Sequence, residues 1–391
     1  MKYNFDNIID RKGTDSRKWE PKVLEERFGK DDLLPFWVAD MDFKVAKPIE
    51  DAILKRASHP IYGYSVRPDS YYEAIVDWIN NRFNYEIKKE WIVYTPGAVT
   101  ALTHAIQAFS NENDNIMVQD PVYPPFKEMI KINNRNVVNS PLKFDGEKYN
   151  IEFDEFESKI RNNDIKIFIL CSPHNPIGRV WSKRELEKIG NICLENNVLV
   201  ISDEIHNDLV YKDYKHTMFA SINKEFAMNS ITCTSTSKTF NLAGMEAANI
   251  IIPNKEYRYK FEHILEINDV GSQNPLSIVA VEAAYRYGAE WLEQLLKYLE
   301  ENLKFIEEFL SKNLPKAKLI KPQATYLAWI DLRAYGSVGE KLEEDIINKA
   351  KIGLNFGNWF GEGGEGFIRF NFACSRNMLE EGFERLVKAL S

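Results

Sequence analysis

At 391 residues, 44% hydrophobic and 28% charged, the chain has the make-up of a globular protein with a sizeable core and room for two domains. Its net charge of −8 argues against nucleic acid as a partner, because binding a phosphate backbone needs a basic face. With no apolar run long enough for a bilayer and no apolar signal core at the N-terminus, the expectation is a cytoplasmic protein that does not engage a membrane.

The segment Trp37-Val38-Ala39-Asp40-Met41-Asp42-Phe43 has no helical period and reads as an extended arm or loop. Two carboxylates beside Trp37 suggest a site-lining role, although a simple edge segment fits the same residues. Lys47-Pro48 opens a helical pattern, and the aromatic turn Ile61-Tyr62-Gly63-Tyr64-Ser65 precedes an amphipathic helix over 72–83. A strand over 91–94 then runs through Pro96-Gly97 into a helix over 101–109. A strand, a glycine turn and a helix aim free backbone N–H groups and a positive helix end at an anion. One glycine is a weak signal, and neither a dinucleotide fingerprint nor a Walker loop is present.

Strand and helix patterns continue to alternate. Strands are expected over 116–119, 167–171, 198–202 and 231–234, with helices over 126–132 and 183–195. Near-continuous apolar strands of this kind predict an α/β fold with a mostly parallel sheet covered on both faces. Ligands then bind beyond the carboxyl ends of the strands. Gly97, Tyr123, Asn175, Asp203 and Lys238 all fall at that address. Prolines 121, 124 and 125 restrict the backbone around Tyr123 and so fix its ring. The cysteines (171, 193, 233 and 374) form no Cys-x-x-Cys pair, so neither a zinc knuckle nor a disulfide framework is suggested, and three of them lie in apolar or strand-like runs that suit buried free thiols.

The last third differs. From Trp291, apolar residues recur in steps of three and four to Leu310, a long amphipathic helix with its stripe in the core. Strands over 326–331 and 367–372, a helix over 340–351 and a final helix ending at Leu390 complete a smaller α+β domain. The expected division is a large domain over 48–286 and a small domain formed by 1–47 and 287–391.

An anion-binding helix end, a fixed aromatic ring, an Asn, an Asp and a lone Lys match the parts of pyridoxal 5'-phosphate one by one. Its aldehyde needs an amine, its ring nitrogen a carboxylate, its phenolic oxygen a donor, its ring face an aromatic, and its phosphate N–H groups and hydroxyls. The surrounding motifs are Asp120-Pro121-Val122-Tyr123-Pro124-Pro125-Phe126, Cys171-Ser172-Pro173-His174-Asn175-Pro176-Ile177-Gly178, Ser202-Asp203-Glu204-Ile205-His206 and Ser237-Lys238-Thr239-Phe240-Asn241-Leu242-Ala243-Gly244. With the Trp37 to Phe43 segment, they resemble, in order and over essentially the whole chain, a fold-type I, aspartate-aminotransferase-like pyridoxal-phosphate enzyme. More narrowly the chain resembles the MalY/PatB-type carbon–sulfur β-lyases, the cystathionine β-lyases.

The resemblance implies a seven-stranded large domain and a homodimer whose active sites lie at the subunit interface. It assigns Lys238 to the cofactor aldehyde and to movement of the substrate's Cα proton. Asp203 would pair with the ring nitrogen, Asn175 with the phenolic oxygen, and Tyr123 would stack on the ring. Gly97, Ala98, Val99 and Ser235 would bind the phosphate, joined by Tyr64 from the neighbouring subunit. Arg369 would pair with the carboxylate of an amino-acid substrate, and Trp37, Ala39 and Asp40 would line its entrance. His206 stands where many relatives carry a tyrosine, and its role is open between structure and catalysis. Aminotransferases of this fold usually carry a phosphate-binding arginine eight residues after the lysine; here that residue is Glu246. The lyase subgroup lacks the arginine too, so the departure favours α,β-elimination of L-cystathionine or a related cysteine S-conjugate to pyruvate, ammonia and a thiol. An aminotransferase using a 2-oxo acid, and a cofactor-binding regulatory protein acting through a partner, are the competing readings.

Overall fold

A computed structural model describes residues 1–336 and 339–390. Seven strands form one sheet: β1 (Ile92–Thr95), β2 (Asn115–Val118), β3 (Asn136–Asn139), β4 (Ile165–Cys171), β5 (Leu199–Asp203), β6 (Ser230–Thr234) and β7 (Ala248–Ile251). Their spatial order is β1-β7-β6-β5-β4-β2-β3. Only β7 runs antiparallel to its neighbours. The other strands therefore deliver their carboxyl ends to one edge. Strands β4 and β5 are apolar on both faces because helices cover both.

Local sequence explains the key helices. Helix α1 (Ala98–Phe109) begins at Gly97, whose φ of 109° lies where a side chain would strain the backbone. Helix α2 (Lys183–Glu195) starts in a capping box: Ser182 Oγ accepts the Glu185 N–H, and the Glu185 carboxylate accepts the Ser182 N–H. Helix α3 (Ala289–Asn313) buries Trp291, Leu292, Leu295, Leu296, Leu299, Leu303, Ile306 and Leu310, the expected stripe. Asn302, in the same stripe, is satisfied by donating to the carbonyls of Phe372 and Cys374 at 3.2 and 3.0 Å.

A second, antiparallel sheet is built from β8 (Lys318–Ile320), β9 (Leu327–Asp331), β10 (Asn355–Phe356) and β11 (Phe367–Asn371), in the order β8-β9-β11-β10. The N-terminal segment is tied to this region. Leu34–Pro35 pairs in parallel with Ile352–Gly353. Asn371 donates its N–H to the Phe36 carbonyl and its amide to the carbonyls of Val38 and Asp40, at 2.6 and 2.7 Å for the latter two. Residues 36–40 are thereby stretched between the two sheets. The helix expected over 340–351 is split instead into Gly339–Asp345 and a π-helical turn, Ile346–Ala350. All four cysteines are buried and free. Among the described residues, no helix is long and apolar enough to cross a membrane.

Candidate active site

A cavity of about 540 Å³ opens at the carboxyl edge of the large sheet. Its walls include Trp37, Ala39, Gly97, Ala98, Val99, Tyr123, Asn175, Asp203, His206, Ser235, Lys238 and Arg369. Twelve of the fourteen residues expected to form the site thus converge on one space, although they are drawn from positions 37 to 369 of the chain.

Lys238 lies in the short helix Thr236–Thr239 that follows β6, and Ser235 Oγ caps that helix by accepting the Ser237 N–H at 3.0 Å. The turn is held from both sides. Thr239 donates its hydroxyl to buried Asp208 at 2.9 Å, and Asp208 also accepts from Trp78 Nε1 and pairs with Arg82. Asn241 grips the opposite segment, accepting the Met41 N–H and donating to the carbonyls of Met41 and Phe43, all at 3.0 Å. Lys238 Nζ itself donates to the Ala39 carbonyl at 2.8 Å, which Tyr326 also caps with its hydroxyl at 2.9 Å. Burial pulls the amine down from 10.5 to about 8, although the charges of Asp40 and Asp203 oppose that fall.

Asp203 ends β5 and faces the cavity. Burial pushes its carboxyl up to about 7, with the Ile205 N–H at 3.2 Å and the Lys238 charge pulling the other way. His206 is lowered to about 3 by burial and by the charges of Lys238 and Arg369, so its imidazole is neutral at ordinary pH. Arg369 on β11 is buried and fully oriented. It donates to Asn175 Oδ1 at 3.0 Å, to the Trp37 carbonyl at 2.8 Å and to Asn355 Oδ1 at 2.7 Å. Because a guanidinium only donates, the Asn175 atom facing it is the oxygen, and the amide nitrogen is left to donate into the cavity. The Tyr123 ring is set edge-on to Phe126 at 5.8 Å.

The pairing of β7 with β1 and β6 sets Thr95 against Ala248 and Thr234 against Asn249, which gathers Gly97, Ser235 and Ala247 at one end of the cavity. There the N–H groups of Ala98, Val99 and Thr100 precede the first helical hydrogen bond, from the Ala101 N–H to the Gly97 carbonyl. An anion at this point meets free donors and the positive end of a 12-residue helix.

Two expected residues stand apart. Asp40 is no wall of this cavity: its carboxylate turns away into an ion pair with Arg11, 2.6 Å at its closest, and the neighbouring Ala39 carbonyl faces Lys238 in its place. Tyr64 is fully exposed in a chain segment outside the cavity. His174, next to Asn175, hydrogen-bonds the Pro121 carbonyl at 2.9 Å and is lowered by burial to about 4, a loop-holding part rather than a base. Sequence reasoning missed Arg17, Ser237 and Asn355, which line the cavity, and Tyr326, which braces the Ala39 carbonyl. Ser237 sits beside Lys238 in a quoted motif, whereas Arg17, Asn355 and Tyr326 lie in none and only the tertiary fold brings them here.

The donor set fits pyridoxal phosphate. An amine held near neutrality, a buried carboxylate lacking a countercharge, an unengaged Asn amide and a helix N-terminus match its aldehyde, ring nitrogen, phenolic oxygen and phosphate. His206 Nδ1 and Arg369 Nε are buried polar atoms with no partner among the described residues, as expected of walls that await a polar ligand.

Fold and site together define a fold-type I pyridoxal-phosphate enzyme. The chain belongs to the aminotransferase class I and II family, whose pattern matches residues 38–386. It is 44% identical to cystathionine beta-lyase PatB of Bacillus subtilis (strain 168) over 388 residues, 99% of this chain and 100% of that one. Among solved structures it resembles a PLP-bound putative aminotransferase from Clostridium difficile 630, with a TM-score of 0.98 and 46% identity over the whole of both chains. It also resembles the PLP-bound C-S lyase from Staphylococcus hominis, with a TM-score of 0.94 and 36% identity over 100% of this chain and 98% of that one.

Proposed function

We propose that this chain is a pyridoxal-phosphate-dependent carbon–sulfur β-lyase, which cleaves L-cystathionine or a related cysteine S-conjugate by α,β-elimination. The observation that carries the reading is the convergence of Lys238, Asp203, Asn175 and Arg369 on one cavity, in a chain related over its full length to a cystathionine beta-lyase.

When bound, pyridoxal phosphate supplies the electron sink that makes a Cα proton removable. Arg369 pairs with the substrate carboxylate through its planar fork, held flat by Asn175, Asn355 and the Trp37 carbonyl. Lys238 Nζ takes the Cα proton, a task suited to an amine whose affinity for protons burial has reduced to about 8. Asp203 holds a positive charge opposite itself. Asn175 and neutral His206 would donate to the phenolic oxygen, Tyr123 would lie against the ring, and the N-terminus of α1 with Ser235 would hold the phosphate. With charge stabilised at Cα, a thiolate leaves from Cβ, since sulfur leaves more readily than hydroxide. The aminoacrylate that is released hydrolyses to pyruvate and ammonia.

The active unit in this reading is a homodimer. Ile61, Tyr62, Tyr64 and Val66 are exposed together, and Ala243, Gly244 and Glu246 leave the phosphate end open to a neighbouring subunit. Tyr64 of each subunit would close the other's site. The division into 48–286 and 1–47 with 287–391 belongs to the same reading and is supported by the pairing of residues 34–35 with 352–353.

The test is product analysis with L-cystathionine and no 2-oxo acid. Equal amounts of pyruvate, ammonia and homocysteine are expected. A requirement for a 2-oxo acid, with the matching amino acid formed, would make the chain an aminotransferase.

A further inference from the structure

Three cations line the active-site cavity: Arg17, Lys238 and Arg369. Lys238 and Arg369 are bound into the wall by the hydrogen bonds described above. Arg17 is exposed, and among the described residues it has neither a hydrogen bond nor an ion pair. Its backbone is nevertheless fixed. The next residue, Lys18, is fully buried, pairs with Asp42 at 2.6 Å and accepts from Trp37 Nε1 at 3.3 Å through its carbonyl. The preceding carbonyl, that of Ser16, accepts the Trp19 N–H at 2.9 Å. A firmly anchored backbone thus offers an uncommitted guanidinium to the cavity. Its charge reaches the site: burial raises the Tyr123 phenol, and Arg369 and Arg17 both oppose that rise.

Arg369 accounts for the carboxylate at the reacting end of a substrate. L-Cystathionine carries a second carboxylate on the thiol that departs, whereas an S-alkylcysteine carries none. The lining carboxylates, Asp203 and Glu246, would repel such a group, which leaves Arg17 as its remaining cationic partner. We propose that Arg17 is a specificity-determining residue that pairs with an anionic group on the leaving thiol, so that the enzyme selects cysteine S-conjugates with a carboxylate beyond sulfur over neutral S-alkyl conjugates. This rests on the lyase reading.

The test is Arg17→Gln in the holoenzyme, with L-cystathionine and S-ethyl-L-cysteine compared. Losing a charged hydrogen bond of about 1.5–3 kcal/mol should lower the ratio of their kcat/KM values by about 10–150-fold, mostly through KM, and Arg17→Lys should recover part of it. A ratio within about twofold of the parent's, or an equal loss with both amino acids, overturns the proposal. An independent readout is competitive inhibition by 2,7-diaminosuberate, which cannot eliminate, against 2-aminoheptanoate, which lacks the distal carboxylate. Arg17→Gln should weaken the first about tenfold more than the second, and parallel changes overturn the proposal. If the parent makes pyruvate from neither substrate, the lyase reading fails, and the dissociation constants of the same two analogues, read from the change in absorbance of the bound cofactor, still decide the role of Arg17.

Discussion

The N-terminal strap and the cavity wall both bury charge, and they treat it in opposite ways. In the strap, Arg11 and Lys18 face Asp40 and Asp42, with contacts of 2.6 and 2.7 Å and a looser one of 3.7 Å. Burial pushes the Asp42 carboxyl up, yet Lys18, Arg11 and the Trp19 indole N–H outweigh it and hold the group below the usual carboxylate range. In the cavity, none of Lys238, Asp203 and Arg369 forms an ion pair with a described residue. Burial dominates there, lowering the Lys238 amine to about 8 and the Arg369 guanidinium to about 10, and raising the Asp203 carboxyl to about 7. A closed charge set is structural scaffolding. An open one is a binding site whose missing partners come from the ligand.

Substitutions on the two sides of this contrast should fail differently. The largest effect belongs to Lys238→Ala, which removes both the amine for the cofactor and the base. Turnover of L-cystathionine should fall by at least about 10³–10⁴-fold and the visible absorbance of the lysine-bound cofactor should vanish, with thermal unfolding little changed. Asp42→Ala should do the reverse. It leaves a fully buried Lys18 with only its looser 3.7 Å contact to Asp40, and urea unfolding should show a loss of about 3 kcal/mol. Arg369→Gln should reduce kcat/KM by about 10–150-fold, the worth of a charge-assisted carboxylate contact, as measured by initial rates. A stability loss from Lys238→Ala as large as that from Asp42→Ala would erase the distinction.

Much of this was legible in the sequence, for a physical reason. Long apolar strands such as β4 and polar groups set just past strand ends are written locally, so the sheet and its ligand-binding edge could be read from pattern alone. Strands β3 and β7 could not. Each is only four residues long, and the asparagines in Asn136–Asn139 and at Asn249 dilute the apolar signal. The direction of a side chain is equally hidden. Asp40 and Ala39 are adjacent, yet the carboxylate turns to Arg11 and the carbonyl to Lys238, a choice made by groups 29 and 199 residues away. Arg17, Asn355 and Tyr326 reach the site only through tertiary structure, and a single sequence carries no local mark of it.

The most direct test of the contrast is the pH dependence of stability in cofactor-free protein, comparing the native chain with Asp203→Asn. The carboxyl's folded value, about 7, lies above its ordinary 3.8. Between those values the folded chain binds a proton that the unfolded chain has released, so stability falls as pH rises through that window. The cost is fully present above about pH 7. The Asn variant does not bear it, so its advantage over the native chain should widen from pH 4 to 7 and then level off. Adding pyridoxal phosphate, whose ring nitrogen supplies the countercharge, should abolish or reverse that advantage. Parallel profiles from pH 4 to 8, or an Asn advantage that survives cofactor binding, would contradict the claim that Asp203 is held in wait for a cationic partner.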